Sequence, residues 1–479
     1  MNRASGVLMH ISSLFGGYSI GSFGDEAKRF ADFLNECGFT YWQVLPFCMI
    51  DESNSPYKSY SAFGGNPYFI DLPTLKRKGL LTDEELQSAR QNTPYLCEYD
   101  RLASERIPLL KLACSRLDEQ ERERVKKFIS ENKSLRDAAE FLALKEANSG
   151  KVWHEWETEK CDEEELFFWE FVQYEFFSEW SEIKAYANSL GIRIIGDVPI
   201  YVSLDSADVW ANREQFQLDS RGYPKKVSGV PPDYFSEDGQ KWGNPLYRWR
   251  EMKKDGYSWW CERISHMLKL FDGVRIDHFR GLESYWSVDA DAENAKHGKW
   301  EKGPCRDFIN RIREIAGDKL IIAEDLGDIT PAVDALVKYS KFPGMRVFQF
   351  GFLGDRESTH LPHNYEKNCI AYTGTHDNNT LLGYLWEVDE RTRREIIDYV
   401  NGDQSNWSAS CDAIIKTMLG SHAETVILPI QDVFVFGADT RMNTPGTVGN
   451  NWAYRITEEQ LNAVDRGKYR YLNYLYGRI

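Results

Sequence analysis

Three runs of apolar residues in this chain each end in a carboxylate. They read Phe-Asp-Gly-Val-Arg-Ile-Asp277, Leu-Ile-Ile-Ala-Glu324 and Ile-Ala-Tyr-Thr-Gly-Thr-His-Asp377. Acids at the carboxyl ends of buried strands are typical of the active-site face of a parallel β/α barrel, where side chains from several strands meet. The three acids therefore predict one pocket for acid/base and nucleophilic chemistry.

Asp277 follows a short strand in which a second charged residue shares its face. Side chains alternate along a strand, so Arg275 and Asp277 are both expected to point into the barrel near its mouth. A guanidinium group within a few ångströms favours the ionised form of a carboxylate, and an ionised acid is suited to act as a nucleophile. The alternative is a buried ion pair that only fixes the barrel.

Glu324 lies at the edge of an apolar strand, where partial loss of solvent raises the pKa of a carboxyl group. An acid that still holds its proton near neutral pH is suited to general-acid catalysis. The alternative is a glutamate that forms a salt bridge across the barrel mouth. The neighbouring Asp325 is expected to orient a loop.

Asp377 follows His376 in a segment of small and polar residues that lets the backbone approach a ligand. Both side chains can hydrogen-bond adjacent hydroxyl groups, although a His–Asp pair in a loop is more often a local contact. A fourth acid, Asp197, ends the run Ile-Ile-Gly-Asp197. It either shapes the pocket and contacts the substrate, or it caps a turn.

Two kinds of barrel enzyme fit this set of acids. A nucleophilic carboxylate with an acid/base glutamate is the arrangement of a retaining glycosidase, in which the two carboxyl groups lie roughly 5–5.5 Å apart. Barrel enzymes that use Mg²⁺ also collect acids at strand ends. Arg275 disfavours a metal at Asp277 because it already neutralises that charge. We expect no metal and no organic cofactor.

The elements that must position these acids are parallel strands separated by helices. Short apolar, β-branched or aromatic runs predict eight strands: 6–12, 40–46, 192–198, 273–277, 320–324, 345–350, 370–375 and 425–429. Helical patterns lie between them at 25–37, 306–316 and 331–339, the last with Thr330 as N-cap and Pro331 at the first helical position. Eight strand–helix units predict an α/β fold, the (β/α)8 TIM barrel.

The spacing of the strands predicts a single catalytic barrel over residues 1–479 with large insertions. A mainly helical subdomain is expected at 72–190, between the second and third strands. It contains three segments rich in helix formers: 105–130, 134–148 and 163–189. A substrate-cleft loop region is expected at 203–260, and a smaller insertion near 289–303. Too few residues follow the eighth strand for a C-terminal β-sandwich.

Composition limits the partners of the protein. The 479 residues include 58 Lys and Arg against 74 Asp and Glu, a formal charge of −16, which disfavours nucleic acid and anionic membranes. No apolar run reaches the roughly 18 residues that cross a bilayer, and the N-terminus has no signal-peptide pattern. Nine cysteines without a C-x-x-C pair indicate reduced thiols in a cytoplasmic protein.

These segments resemble the catalytic segments of the α-amylase superfamily, and four further motifs resemble its 4-α-glucanotransferase branch. The motifs are Ser55-Pro-Tyr57-Lys-Ser-Tyr-Ser-Ala-Phe-Gly-Gly-Asn66-Pro-Tyr, Gly-Val-Pro-Pro-Asp233-Tyr-Phe-Ser, Trp242-Gly-Asn244-Pro-Leu-Tyr and Arg-Met-Asn443-Thr-Pro-Gly. The resembling segments run in order from near residue 6 to residue 455, so the resemblance covers essentially the whole chain.

The resemblance assigns roles to individual residues. It implies a nucleophile, an acid/base and a stabiliser of the distorted sugar, which are Asp277, Glu324 and Asp377. It implies substrate contacts at nine positions: Arg275, His376, Asp197, Tyr57, Ser55, Trp242, Asn244, Asp233 and Asn443. A loop at 229–236, made stiff by two prolines, would cover the cleft, and excluding water there would favour transfer to a sugar hydroxyl over hydrolysis.

The function that the resemblance implies is retaining transfer of α-1,4-glucan segments. The donor would be a maltooligosaccharide, amylose or a glycogen-derived glucan, and the acceptor the 4-hydroxyl of a glucan or glucose. Two alternatives stay open: an α-amylase-type hydrolase with the same acids, and a glucan-binding protein on an inactive barrel. The expected cleft loop and missing sandwich disfavour the first, and the three intact acids disfavour the second.

Overall fold

The computed structural model describes residues 3–232, 236–447 and 449–479. Eight of its strands form a barrel: β1 Ala4–Leu8, β2 Tyr41–Gln43, β3 Arg193–Val198, β6 Gly273–Ile276, β9 Leu320–Ala323, β10 Gly344–Val347, β11 Cys369–Tyr372 and β12 Thr425–Pro429. They are all parallel and close in the order β1-β12-β11-β10-β9-β6-β3-β2. The predicted (β/α)8 barrel is confirmed, and each predicted strand overlaps one of these.

The barrel is filled by every second residue of its strands. Apolar side chains from most strands meet in one interior cluster, which includes Leu8, Ile195, Ile322, Met345 and Ile370. Polar side chains also lie in this interior, where the Tyr372 hydroxyl donates to Gln43 Oε1 at 2.9 Å. The bulky Tyr41 fits because the residue facing it on β1 is Gly6.

Helices cover the outside of the barrel and make up most of the insertions. They are α1 Asp25–Cys37, α2 Leu72–Arg77, α3 Asp83–Leu86, α4 Tyr99–Ser115, α5 Glu119–Ser130, α6 Lys133–Ala147, α7 Glu163–Ser189, α8 Ala207–Ala211, α9 Trp249–Lys254, α10 Ser258–Leu270, α11 Cys305–Ala316, α12 Pro331–Ser340, α13 Leu381–Glu387, α14 Glu390–Tyr399, α15 Trp407–Gly420, α16 Ile430–Phe434, α17 Glu458–Asn462 and α18 Arg466–Leu475. The predicted 25–37, 306–316 and 331–339 correspond to α1, α11 and α12. Thr330 caps α12 by accepting the Val333 N–H.

The insertion between β2 and β3 contains α2 to α7. The predicted helix at 105–130 is two helices, because Asp118 caps the start of α5 through the Glu121 N–H at 2.8 Å. The predicted helix at 163–189 is observed with the same bounds as α7. It packs against the barrel through Trp180, whose ring centroid lies 4.7 Å from that of Phe47. The bounds 72–190 for a subdomain stay a prediction.

Four strands outside the barrel form a second sheet. These are β4 Lys226–Val230, β5 Gln240–Pro245, β7 Ser284–Asp289 and β8 Gly298–Lys302, antiparallel in the order β5-β4-β7-β8. The insertions after β3 and β6 are therefore joined through the pairing of β4 with β7. We expected a loop region at 203–260, but it contains two of these strands and helices α8 and α9.

The predicted cleft loop at 229–236 needs a correction. Gly229 and Val230 lie in β4, because their backbone groups pair with β5 and Gly229 also pairs with Trp286 of β7. These partners come from other segments of the chain, so the local Gly-Val-Pro-Pro pattern could not reveal the pairing. Residues 233–235, with the site candidate Asp233, lie outside the described residues.

Beyond Pro429, the described residues form helices and turns and no strand. All nine cysteines are free thiols. Among the described residues, no helix combines the length and apolar character that crossing a membrane requires.

The fit of Gly6 against Tyr41 can be tested by adding one methyl group. A Cβ atom at Gly6 would lie 2.5 Å from Tyr41 Cβ and from the Tyr41 carbonyl oxygen, and 2.9 Å from Ile427 Cδ1. We expect Gly6→Ala to lower the free energy of unfolding by about 1–3 kcal/mol through overpacking. Urea unfolding followed by tryptophan fluorescence measures it. Gly354→Ala is the control, since a Cβ there meets nothing within 4 Å. Equal midpoints for both variants would contradict this packing.

Candidate active site

Arg275 is the centre of the charged groups at the barrel mouth. It lies in β6 and points inward with a side chain 6 % exposed, as alternation along the strand predicted. Its Nη1 donates to Asp197 Oδ2 at 2.7 Å and its Nη2 to Asp277 Oδ1 at 2.8 Å. Both carboxylates raise the pKa of Arg275 well above its usual value against the opposing effect of burial. The guanidinium stays charged and fixes both acids.

A chain of contacts continues from Asp197 to the third acid. The Tyr57 hydroxyl donates to Asp197 Oδ2 at 2.8 Å and lies 3.5 Å from His376 Nδ1, and the two rings are stacked with centroids 5.0 Å apart. His376 Nε2 lies 3.3 Å from Asp377 Oδ2. Asn443 Nδ2 donates to Asp377 Oδ1 at 2.6 Å. Asp277 and Asp377 are thus the two ends of one polar network.

The direction of these bonds assigns hydrogens within the network. Burial and then the charge of Asp197 raise the pKa of Tyr57 well above its usual value, so its hydroxyl keeps its hydrogen and donates it to Asp197. The Tyr57 oxygen can then only accept from His376 Nδ1, while His376 Nε2 faces a carboxylate.

Asp377 is held in its ionised form. Its side chain is 46 % exposed at the mouth. Burial alone would raise its pKa, but the charge of His376 and the hydrogen bonds from His376 and Asn443 outweigh that effect and lower the pKa to about 2. An ionised Asp377 can stabilise positive charge that develops on a bound ligand.

Glu324 has a different environment from the other two acids. Its oxygens accept two backbone N–H groups, Oε2 from His278 at 2.6 Å and Oε1 from Leu326 at 2.9 Å. Burial is the largest influence on its pKa, and together with the negative charge of Asp277 it outweighs Arg275 and the two N–H groups, raising the pKa to about 8. The predicted rise is confirmed, and Glu324 can hold a proton at neutral pH.

Asp277 and Glu324 are neighbours because of strand register. Ile276 of β6 pairs with Ala323 of β9, so the next residues of the two strands are Asp277 and Glu324. The Glu324 N–H donates to the Ile276 carbonyl at 3.1 Å. The His278 N–H can reach Glu324 because His278 turns the chain in the left-handed region, with φ 48°.

One wall of the site comes from the second sheet. The Trp242 ring in β5 meets the edge of the His278 ring at a centroid distance of 4.9 Å. Burial lowers the pKa of His278 to about 3, so this ring is neutral beside Glu324. Asn244 has both ends of its amide occupied: Nδ2 donates to the Val202 carbonyl at 3.0 Å, and Oδ1 accepts the Ser228 hydroxyl at 3.4 Å.

The structure brings most of the predicted site residues together. The network and its flank contain Asp277, Glu324, Asp377, Arg275, His376, Asp197, Tyr57, Asn443 and Trp242. Ser55 contacts this network through the backbone of Tyr57, because its hydroxyl accepts the Tyr57 N–H at 3.3 Å. Asp325 was expected to orient a loop, but it accepts the Met345 N–H and a hydrogen bond from the Arg346 side chain, so it holds strand β10 instead.

Three residues at the site were missed in the sequence. Arg441 donates to the Asp377 carbonyl, although it stands inside a motif that we had recognised. Trp452 packs its ring 5.8 Å from those of Tyr57 and His376, with φ 64° and a side chain that is almost buried. Buried His10 accepts the Leu45 N–H at 3.2 Å, and burial and then the charge of His376 lower its pKa to about 3. Neither Trp452 nor His10 lies in a pattern that marks a site.

The arrangement can perform displacement chemistry at a sugar carbon. Asp277 is a carboxylate fixed by Arg275, Glu324 is a proton carrier on the neighbouring strand, and Asp377 is an ionised carboxylate at the other end of the polar network. Retaining glycosidases use such a pair, a nucleophilic carboxylate beside an acid/base carboxyl group. Among the residues that the structure describes, no group of three or more His, Cys, Asp or Glu side chains has the arrangement of a metal site.

Comparison with known proteins agrees with this geometry. The family model Glyco_hydro_77, described as 4-alpha-glucanotransferase, matches residues 9–461. The 4-alpha-glucanotransferase of Clostridium butyricum is 42% identical over 490 residues, covering 98% of this chain and 100% of that protein, and that of Thermus thermophilus is 41% identical, covering 96% of each. The amylomaltase from Streptococcus agalactiae in complex with acarbose has a TM-score of 0.95 at 37% identity, covering 99% of both chains. The chain therefore belongs to the 4-alpha-glucanotransferase family of enzymes.

Proposed function

We propose that the protein transfers α-1,4-glucan segments from a donor maltooligosaccharide to the 4-hydroxyl of an acceptor glucan or glucose, through a covalent glycosyl–Asp277 intermediate. The observation that carries this proposal is the contrast between two neighbouring acids. Asp277 is fixed by the Arg275 guanidinium, whereas burial raises the pKa of Glu324 to about 8. Environments that separate two carboxyl groups in this way assign one as nucleophile and the other as acid.

In the first step, an Asp277 oxygen attacks C1 of the donor sugar and the C1–O4 bond breaks. Oδ1 of Asp277 accepts the Arg275 hydrogen bond, and the described residues make no hydrogen bond to Oδ2, which favours Oδ2 as the attacking atom. The proton of Glu324 passes to the departing O4. The products are a glycosyl ester on Asp277, a free 4-hydroxyl on the leaving glucan and an ionised Glu324.

In the second step, the 4-hydroxyl of an acceptor takes the place of the departed chain. Its oxygen attacks C1, its proton passes to Glu324, and the ester bond to Asp277 breaks. Both carboxyl groups return to their starting forms, and two inversions at C1 give net retention. Glu324 can serve as acid and then as base because its pKa lies near neutral pH.

The other residues of the network would hold the sugar whose C1 reacts. Ionised Asp377 and the His376 ring face the cleft, where they can bind ring hydroxyls and stabilise the positive charge of the transition state. The Tyr57 ring would pack against the same sugar. Asp197 is fully buried, so its contribution would be to fix Arg275 and Tyr57.

The second sheet supports transfer rather than hydrolysis. It places Trp242 beside His278, whose N–H binds the acid/base Glu324, so Trp242 can offer an apolar face to an acceptor sugar. An acceptor that packs on this wall would exclude water from C1. Asp233, which lies outside the described residues, stays a predicted substrate contact. Asn244 would shape the wall through its amide.

The transfer reaction can be separated from hydrolysis with one substrate. Incubation with maltotriose alone should give glucose together with a ladder of longer maltooligosaccharides, which chromatography resolves. Asp277→Asn is the control; it should retain binding and lose turnover by orders of magnitude, because the nucleophile is removed. Glucose and maltose without longer products would identify a hydrolase. Full activity of Asp277→Asn would remove Asp277 from the mechanism.

The raised pKa of Glu324 predicts the alkaline limb of the pH profile. Glu324 carries the proton that the first step needs below its pKa and loses it above, so kcat/KM should fall as pH rises through about 8. The measurement is kcat/KM for maltotriose between pH 5 and pH 10. Glu324 would be contradicted as the proton donor if kcat/KM stayed constant up to pH 10, or if it already fell as the pH rose above about 5.

A further inference from the structure

The segment that carries His376 and Asp377 is fastened at both ends to a single carboxylate. At its start, the Thr373 hydroxyl donates to Asp432 Oδ2 at 2.5 Å. At its end, the Leu381 N–H donates to Asp432 Oδ1 at 2.7 Å. Thr373 directly follows β11 and Leu381 begins α13, so one side chain closes the nine residues 373–381 into a loop.

Asp432 is placed for this contact by the barrel itself. It lies in α16, which follows β12, and β12 is the strand paired with β11. Its side chain is 1 % exposed, and no cation among the described residues forms an ion pair with it. Burial raises the pKa of Asp432 to about 6, against the effect of the two hydrogen bonds. Burying a carboxylate without a counter-ion is costly, so the two hydrogen bonds that Asp432 accepts are needed to stabilise it in this position.

The middle of the loop depends on fixed ends. Asp377 Oδ1 accepts from Asn443, and the Asn379 carbonyl accepts from Gln349 Nε2 at 2.8 Å. Within the loop, Thr375 Oγ1 accepts the Asp377 N–H at 3.2 Å. These contacts set where the Asp377 carboxylate points, and Asp432 binds the two ends of the loop that carries it.

We propose that Asp432 and Thr373 are positioning residues for Asp377: the Asp432 carboxylate clamps both ends of the 373–381 loop and so aims the Asp377 carboxylate at the sugar. The inference rests on the role proposed above for Asp377. Neither residue touches the substrate. Losing the clamp would misplace a group that acts in the transition state, which lowers kcat more than it raises KM.

The test removes the Thr373 hydroxyl without changing the shape of the side chain. Thr373→Val deletes the bond to Asp432, and Thr373→Ser retains it. Thr425→Val is the matched control, because Thr425 is also fully buried, lies in the adjacent β12, and has a hydroxyl with no partner in the structure. The measurements are kcat and KM for maltotriose and the unfolding temperature of each variant.

The clamp predicts a distinct pattern among these variants. Thr373→Val should lower kcat roughly 10- to 100-fold with KM within about twofold, as expected for a small misplacement of a catalytic group. Thr373→Ser should stay within about threefold of wild-type kcat, and Thr425→Val should match the wild type. Asp432→Asn should also stay within about threefold, because its amide can accept the Leu381 N–H and donate to the Thr373 oxygen.

Several outcomes would overturn the clamp. One is a Thr373→Val variant with wild-type kcat, and another is an equal loss in Thr425→Val. A tenfold loss in Asp432→Asn would assign the effect to charge and not to the two bonds, so this variant can still overturn the clamp if Thr373→Val does not fold. Failure of the proposed function looks different, since the wild type itself would then give no maltooligosaccharide ladder.

Discussion

The double ion pair of Arg275 is the interaction on which the rest of the site depends. A nearly buried guanidinium lies between Asp197 and Asp277, 2.7 and 2.8 Å from their oxygens. A buried charge is tolerated only when it is paired and hydrogen-bonded, and removing one partner leaves the other charge buried and unpaired. Arg275 therefore fixes Asp277 at the mouth and holds Asp197 in the interior, where Asp197 in turn positions Tyr57.

The three acids of the site have different hydrogen-bond partners. The two ends of the polar network are bound by side chains: Asp277 accepts from the Arg275 guanidinium, and Asp377 lies beside the His376 ring and accepts from Asn443. Among the described residues, the Glu324 carboxyl group accepts hydrogen bonds only from backbone N–H groups, and its burial raises its pKa to about 8. Asp377, whose pKa is lowered to about 2, and Glu324 therefore hold different protonation states at neutral pH.

Much of this arrangement follows from local sequence. The period of two in Gly-Val-Arg-Ile-Asp277 placed Arg275 and Asp277 on the inner face, and the apolar run before Glu324 predicted its raised pKa. The strand–helix pattern gave the barrel, and helix α7 was found with its predicted bounds. These features depend on residues close together in the chain, where periodicity and burial are readable.

The features that sequence reasoning missed join distant segments. The second sheet pairs β4 with β7 from separate insertions, and neither strand has a pattern strong enough to identify its partner. The Asp432 clamp joins residues after β11 to a helix after β12. His278 adopts a left-handed backbone conformation, which directs its N–H toward Glu324. No residue pattern around His278 predicts this conformation.

The most direct test is to trap the glycosyl ester on Asp277. Glu324→Gln cannot donate a proton, but α-maltotriosyl fluoride carries a leaving group that departs without one, and the second step then lacks its base. The ester should accumulate, and mass spectrometry of the digested protein should find one maltotriosyl increment on the peptide that contains Asp277. Release of fluoride without any covalent adduct, or an adduct on Asp377 instead, would contradict this mechanism.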